Sequence, residues 1–192
     1  MKAILLAGGL GTRMREETEY RPKPMVEIGG RPILWHIMRN LARHGITDFV
    51  IASGYKSEVI NRYFDDSAAW SHTIPEMPDA ETFVGSDEES GWRVTVAFTG
   101  DNTATGGRVT RLGPLLGEEA FFVTYGDGLA DVDVSRLVET HRTSDRLATL
   151  TAVQPTSRFG LMDIDPDGRV THFREKPKMK DWGSIGYFIF EP

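Results

Sequence analysis

The chain of 192 residues contains no cysteine. Disulfides, thiolate metal sites and a cysteine nucleophile are therefore excluded, and a cytoplasmic setting is expected. Long apolar runs are also missing. None approaches the ~20 residues that a membrane-spanning helix needs. The apolar core of Met1 to Leu6 is too short for a signal peptide and is soon interrupted by glycine, so no membrane partner is expected. Nor is there an excess of positive charge: 22 Lys and Arg stand against 28 Asp and Glu, a formal charge of −6. That balance argues against a nucleic-acid partner and requires any anionic ligand to be met by local cations. The five histidines show no spacing of the H-E-x-x-H kind and read as surface or helix residues.

What remains is ordinary for one soluble domain, with 40% hydrophobic and 26% charged residues. The apolar pattern alternates between strand and helix. Strands are predicted over Lys2 to Ala7, Asp48 to Ser53, Trp92 to Phe98, Ala120 to Tyr125 and Leu147 to Val153. Helices are predicted over Arg31 to Gly45, Lys56 to Phe64 and Val134 to Thr143. This order implies an α/β fold with a mostly parallel central sheet and helices on both faces. Residues 65–91, acidic and rich in Pro and Ser, read as a surface insertion. Leu161 to Glu175 reads as a β-hairpin around the turn sequence DPDGR.

Five short stretches carry candidate chemistry. The first, LAGGLGTR from Leu6 to Arg13, puts glycines at the carboxyl end of the first strand, where open parallel sheets bind ligands. Backbone N–H groups there can converge on phosphate oxygens, and Arg13 adds a charged fork. A bare strand-to-helix turn would use the same glycines. The two commonest phosphate motifs do not fit: there is no Gly-Lys pair for a P-loop, and Met14 stands where a dinucleotide fingerprint needs its third glycine. The second stretch, RPKP, sets Lys23 between Pro22 and Pro24 on a stiff, extended segment. The third, TYGDG, brings Asp127 out between glycines at the end of a buried strand, suited to a Mg2+ that bridges phosphates. The fourth is TGGR, Thr105 to Arg108, at a helix start. The fifth is REKP, with Glu175 and Lys176. A D-x-D pattern at Asp131 to Asp133 would suit a glycosyltransferase, but it reads more simply as the start of the next helix.

Taken in order, KAILLAGGLGTR, RPKPMVEIGGRPILWHIM, TGGR, TYGDG and FREKP resemble the sugar-phosphate nucleotidyltransferases, most closely the cytidylyl-transferring subgroup that acts on glucose 1-phosphate. The resemblance implies a Rossmann-like nucleotidyltransferase fold and a reaction in which CTP and α-D-glucose 1-phosphate give CDP-glucose and pyrophosphate, with Mg2+ as cofactor. It assigns nucleotide contacts to Leu6, Ala7, Gly8, Gly9, Gly11, Thr12 and Arg13, and to Thr105, Gly107 and Arg108. Lys23 is assigned to bridge the α-phosphate and the sugar phosphate, Asp127 to bind the metal, and Glu175 and Lys176 to bind the sugar phosphate. Arg13, Lys23 and Asp127 form the implied catalytic set.

Two departures bear on these expectations. Ser184 and Ile185 occupy places where the family carries an Asn-Gly-Gly type sequence beside the sugar, which leaves another hexose 1-phosphate, or UTP or dTTP as donor, open. Relatives continue beyond the position of Pro192 with a second metal-binding aspartate and segments that assemble a homo-oligomer. No counterpart occurs here, so the expectation for this chain is nucleotide binding with impaired turnover.

Overall fold

The computed structural model describes residues 1–9, 20–75, 77–86 and 89–192, with the side chains of 67–73 left aside. β1 (Lys2–Leu6) begins the chain, and a one-turn 3-10 helix (Lys23–Met25) leads to a two-residue ribbon, β2 (Glu27–Ile28) with β3 (Arg31–Pro32). There follow α1 (Ile33–Ala42), β4 (Asp48–Ser53), α2 (Ser57–Ser67), β5 (Ala68–Ile74), β6 (Met77–Gly85) and β7 (Arg93–Phe98). The remainder is α3 (Thr105–Arg111), α4 (Gly113–Leu116), β8 (Phe121–Tyr125), α5 (Val134–Arg142), β9 (Ala148–Val153), β10 (Leu161–Ile164), β11 (Val170–Arg174) and β12 (Gly183–Phe190). Among the described residues no helix is long and apolar enough to cross a membrane.

Eight strands form one sheet in the order β5-β6-β7-β4-β1-β8-β12-β9. Its centre, β7-β4-β1-β8, is parallel. Both flanks are antiparallel: β6 and β5 on one side, β12 and β9 on the other. The central strands are apolar at successive positions because both faces are covered. Ala3 and Leu5 of β1, Phe49 and Ile51 of β4 and Phe122 of β8 pack with Leu34, Ile37, Met38 and Leu41 of α1, and with Ile60, Phe64 and Leu137. Ile4, Val50, Ala52 and Val123, which alternate with them, pack on the other face with Leu112 and Leu116 beside α3 and α4. The expected helices on both faces are therefore present.

Two boundaries differ from the sequence pattern for physical reasons. Arg31 and Pro32 belong to the β2–β3 ribbon, and Pro32 caps α1 with φ −59° and ψ 149° instead of lying within it. The acidic segment 65–91 is not irregular: β5 and β6 extend the sheet beyond β7. Ala80 and Phe83 are buried on opposite faces, and Thr82 shares a hydroxyl hydrogen bond of 2.9 Å with Thr95. Most of the segment's acidic residues flank the strands in the sequence, at Asp65, Asp66, Glu76 and Asp87 to Glu89, and only Asp79 and Glu81 fall within β6. The hairpin is present as β10–β11, turning at Gly168 with φ +81°. Asp133 caps α5 by accepting the Arg136 N–H at 2.9 Å, so its carboxylate serves the helix.

Candidate functional site

The strand order makes a crevice. From β1 the chain moves outward through β4 to β7, then returns to place β8 on the other side of β1. Ligands in open parallel sheets sit at such a reversal, beyond the carboxyl ends of the strands. A cavity of about 720 Å³ occupies this place, lined by residues 6–9, 23–24 and 101–105 with Arg108, Tyr125 and Asp127. Its size is in the range of small-molecule sites.

Lys23 and Asp127 meet here although they are 104 positions apart in the chain. The Lys23 ammonium donates to Asp127 Oδ2 at 2.6 Å, and both side chains are about one-third exposed, at 34% and 33%. Lys23 is carried by the single 3-10 turn, not by an extended segment: Met25 N–H donates to Pro22 O at 2.8 Å and Val26 N–H to Lys23 O at 3.1 Å. Pro24 supplies the fixed φ that this turn uses. Asp127 follows β8 through Gly126, whose N–H donates to Leu6 O at 2.9 Å. A Cβ at Gly126 would come within 3.1 Å of Leu6 O and 3.2 Å of the Pro24 ring, so glycine lets the lysine turn pack directly on the strand ends.

The structure brings Leu6, Ala7, Gly8, Gly9, Lys23, Thr105, Arg108 and Asp127 to the one cavity. Gly11, Thr12 and Arg13 lie outside the described residues. Gly107 is in α3 but does not line the cavity; a Cβ there would sit 3.1 Å from the Thr103 methyl. Glu175 and Lys176 stand exposed at the end of the hairpin, 3.7 Å from each other, and are not among the lining residues. Residues 101–104 and Tyr125 were missed by the sequence reading. The signal was available, since DNTA follows the carboxyl end of β7, at the same sheet edge as the two loops that were recognised.

Arg108, for which the resemblance implies a nucleotide contact, lines the cavity but is buried. It is 5% exposed. Its Nη1 donates to Ser53 O (2.9 Å) and Thr99 Oγ1 (2.7 Å), and its Nη2 to Gly8 O (2.8 Å) and Asp101 O (3.2 Å). Burial lowers its pKa, repulsion from Arg111 lowers it further, and Asp101 partly opposes both.

The nucleotidyl transferase family pattern matches residues 2–192. The chain belongs to the nucleotidyl transferase family. It is 46% identical to the glucose-1-phosphate cytidylyltransferase of Salmonella typhi, across 100% of this chain and 76% of that one. It is 30% identical to a UTP–glucose-1-phosphate uridylyltransferase of a Synechocystis species, across 100% of this chain and 49% of that one. Among solved structures, HddC of Yersinia pseudotuberculosis superposes with a TM-score of 0.64 at 25% identity, covering 99% of this chain and 76% of that one. The resemblance to sugar-phosphate nucleotidyltransferases therefore holds over the full chain, and a glycosyltransferase reading of Asp131 to Asp133 falls away.

Proposed function

We propose that this nucleotidyltransferase transfers a cytidylyl group from CTP to α-D-glucose 1-phosphate, giving CDP-glucose and pyrophosphate. The Lys23–Asp127 pair of 2.6 Å in a cavity at the switch point carries the reading, because it joins a phosphate-binding cation to a metal-binding anion. The 46% identity to a glucose-1-phosphate cytidylyltransferase supports the choice of substrates.

The reaction asks little of a base. A phosphate monoester is already anionic near neutral pH, so one of its oxygens attacks the α-phosphorus directly. A new O–P bond forms, the bond between the α-phosphorus and the bridging oxygen breaks, and pyrophosphate leaves with that electron pair. The barrier lies in bringing two anions together and spreading charge over the transferring group, which positioning and cations lower. Lys23 is the residue assigned to the α-phosphate and the sugar phosphate. Backbone N–H groups of Gly8 and Gly9 are assigned to phosphate oxygens. Mg2+ suits the donors present: Asp127 offers one hard carboxylate, and among the described residues no group of three metal-ligating side chains exists to cage an ion. Mg2+ characteristically takes one or two carboxylates, substrate phosphates and water, and when bound it would neutralise phosphate charge.

The test is product analysis by 31P NMR with CTP, Mg2+ and glucose 1-phosphate. The expected products are the paired diphosphate resonances of CDP-glucose together with pyrophosphate, absent with Lys23→Ala. Nucleotide bound but unconverted would contradict this reading and favour a binding module.

A further inference from the structure

Arg108 is a buried cation held by neutral oxygens that belong to the ends of three parallel strands and the loop beyond them. Ser53 O closes β4, Gly8 O follows β1, and Thr99 Oγ1 and Asp101 O follow β7. Space has been cleared for it. A Cβ at Gly8 would fall 2.0 Å from its Nη1, and one at Gly54 would fall 2.7 Å from the same atom. A guanidinium has four terminal N–H groups, and here they meet four acceptors, none a carboxylate. Both terminal nitrogens are thus engaged by the protein's own strand ends before any nucleotide arrives.

The contact with Gly8 O has a geometric consequence. All peptide bonds among the described residues are trans. In a trans peptide plane the N–H of one residue points opposite to the C=O of the residue before it. Arg108 draws the Gly8 carbonyl inward, at 2.8 Å. The N–H of Gly9 must then point outward. Gly9 is exposed, lines the cavity, and finds no hydrogen-bond acceptor for this N–H among the described residues.

We propose that Arg108 is a positioning residue that fixes the Gly8–Gly9 peptide so that the Gly9 N–H is presented, already oriented, to an anionic phosphate oxygen of the nucleotide. Arg108 thus acts on the phosphates through the loop and does not read the base. The inference deepens the nucleotide-site reading above and rests on it. Orienting the donor before binding removes a reorganisation cost, as in other preformed anion holes.

The experiment compares CTP with cytidine, which lacks phosphates, as ligands of wild-type protein, Arg108→Met, Arg108→Lys and Gly9→Pro. Calorimetry reads affinity and 15N–1H spectra read the Gly9 amide. On the proposal, Arg108→Met weakens CTP by about tenfold, the worth of one charge-assisted hydrogen bond, and leaves cytidine affinity within twofold. CTP moves the Gly9 amide proton downfield in the wild type and much less in Arg108→Met. Arg108→Lys, which can still reach one carbonyl, recovers part of the loss. Gly9→Pro removes the N–H itself and reproduces the CTP-selective loss with Arg108 intact, which keeps the test available if Arg108→Met does not fold. Equal losses for CTP and cytidine would overturn the positioning role in favour of a base contact. Wild-type protein that binds neither ligand would overturn the nucleotide reading as well.

Discussion

Lys23 and Asp127 separate chemistry from stability. Each is one-third exposed, and ion pairs in that setting contribute about 0–1 kcal/mol. Lys23→Ala is therefore expected to leave the thermal midpoint within a few degrees while lowering kcat by about 10²–10³-fold, the cost of one transition-state donor. Differential scanning calorimetry beside steady-state kinetics checks both halves. Asp127→Asn is expected to raise the Mg2+ concentration needed for half-maximal activity, read from a metal titration at fixed CTP, with a smaller effect on saturation by glucose 1-phosphate. Both residues were legible in the sequence, because a lone cation between prolines and a lone carboxylate between glycines stand out at strand ends. The setting of Arg108 was not. Its partners Gly8, Ser53 and Thr99 lie up to 100 positions from it in the chain, and only the parallel packing of β1, β4 and β7 gathers them.

At the level of the elements, strand β12 shows how local backbone geometry shapes the cavity wall. Its pairing with β9 is irregular between Ser184 and Phe188, and Gly186 sits there with φ +83°. A Cβ at Gly186 would lie 2.3 Å from the ring of Tyr125, the side chain that lines the cavity. Gly186→Ala combines a left-handed backbone with overlap against an aromatic ring, and is expected to destabilise by about 2–4 kcal/mol. Urea unfolding measures this, and a KM raised together with a lowered midpoint would tie the bulge to the site. Sequence periodicity placed every central strand and the three long helices to within a few residues. It failed on β5 and β6, where acidic residues flank the strands in the sequence, although Ala80, Thr82 and Phe83 of β6 are buried in the sheet. It also could not show that the hairpin leaves Glu175 and Lys176 exposed away from the lining residues, since the direction of a hairpin is set by tertiary contacts.

For the whole molecule, alkaline stability follows from two tyrosines, Tyr187, which is fully buried, and Tyr63, which is partly buried. Burial is the first cause that raises the pKa of Tyr187 above its ordinary 10.0, against a hydrogen bond from the Ala130 N–H. Burial likewise raises Tyr63, opposed first by its hydrogen bond from Arg31. In the folded protein these phenols keep their protons at a pH where the unfolded chain loses them. Their contribution is thus fully present below the unfolded pKa and is lost as pH rises above about 10. Tyr187→Phe is expected to lower stability at pH 7 by about 1 kcal/mol through the lost contacts with Ala130 and Gly128, yet to show a shallower decline above pH 10 in urea titrations. A parallel decline in both proteins would show that Tyr187 is not responsible. The parallel centre of the sheet is legible from the β-α alternation, and the carboxyl-edge rule places the cavity at the ends of those strands. The order of the strands was not legible, because it depends on which side of β1 the returning strand β8 packs. The measurement that bears most directly on the central claim is pyrophosphate release with Mg2+ and glucose 1-phosphate, run at equal concentrations of CTP, UTP, dTTP, ATP and GTP. Release selective for CTP, and lost in Lys23→Ala, is the predicted result. Release that prefers another nucleotide, or that survives Lys23→Ala unchanged, would contradict it.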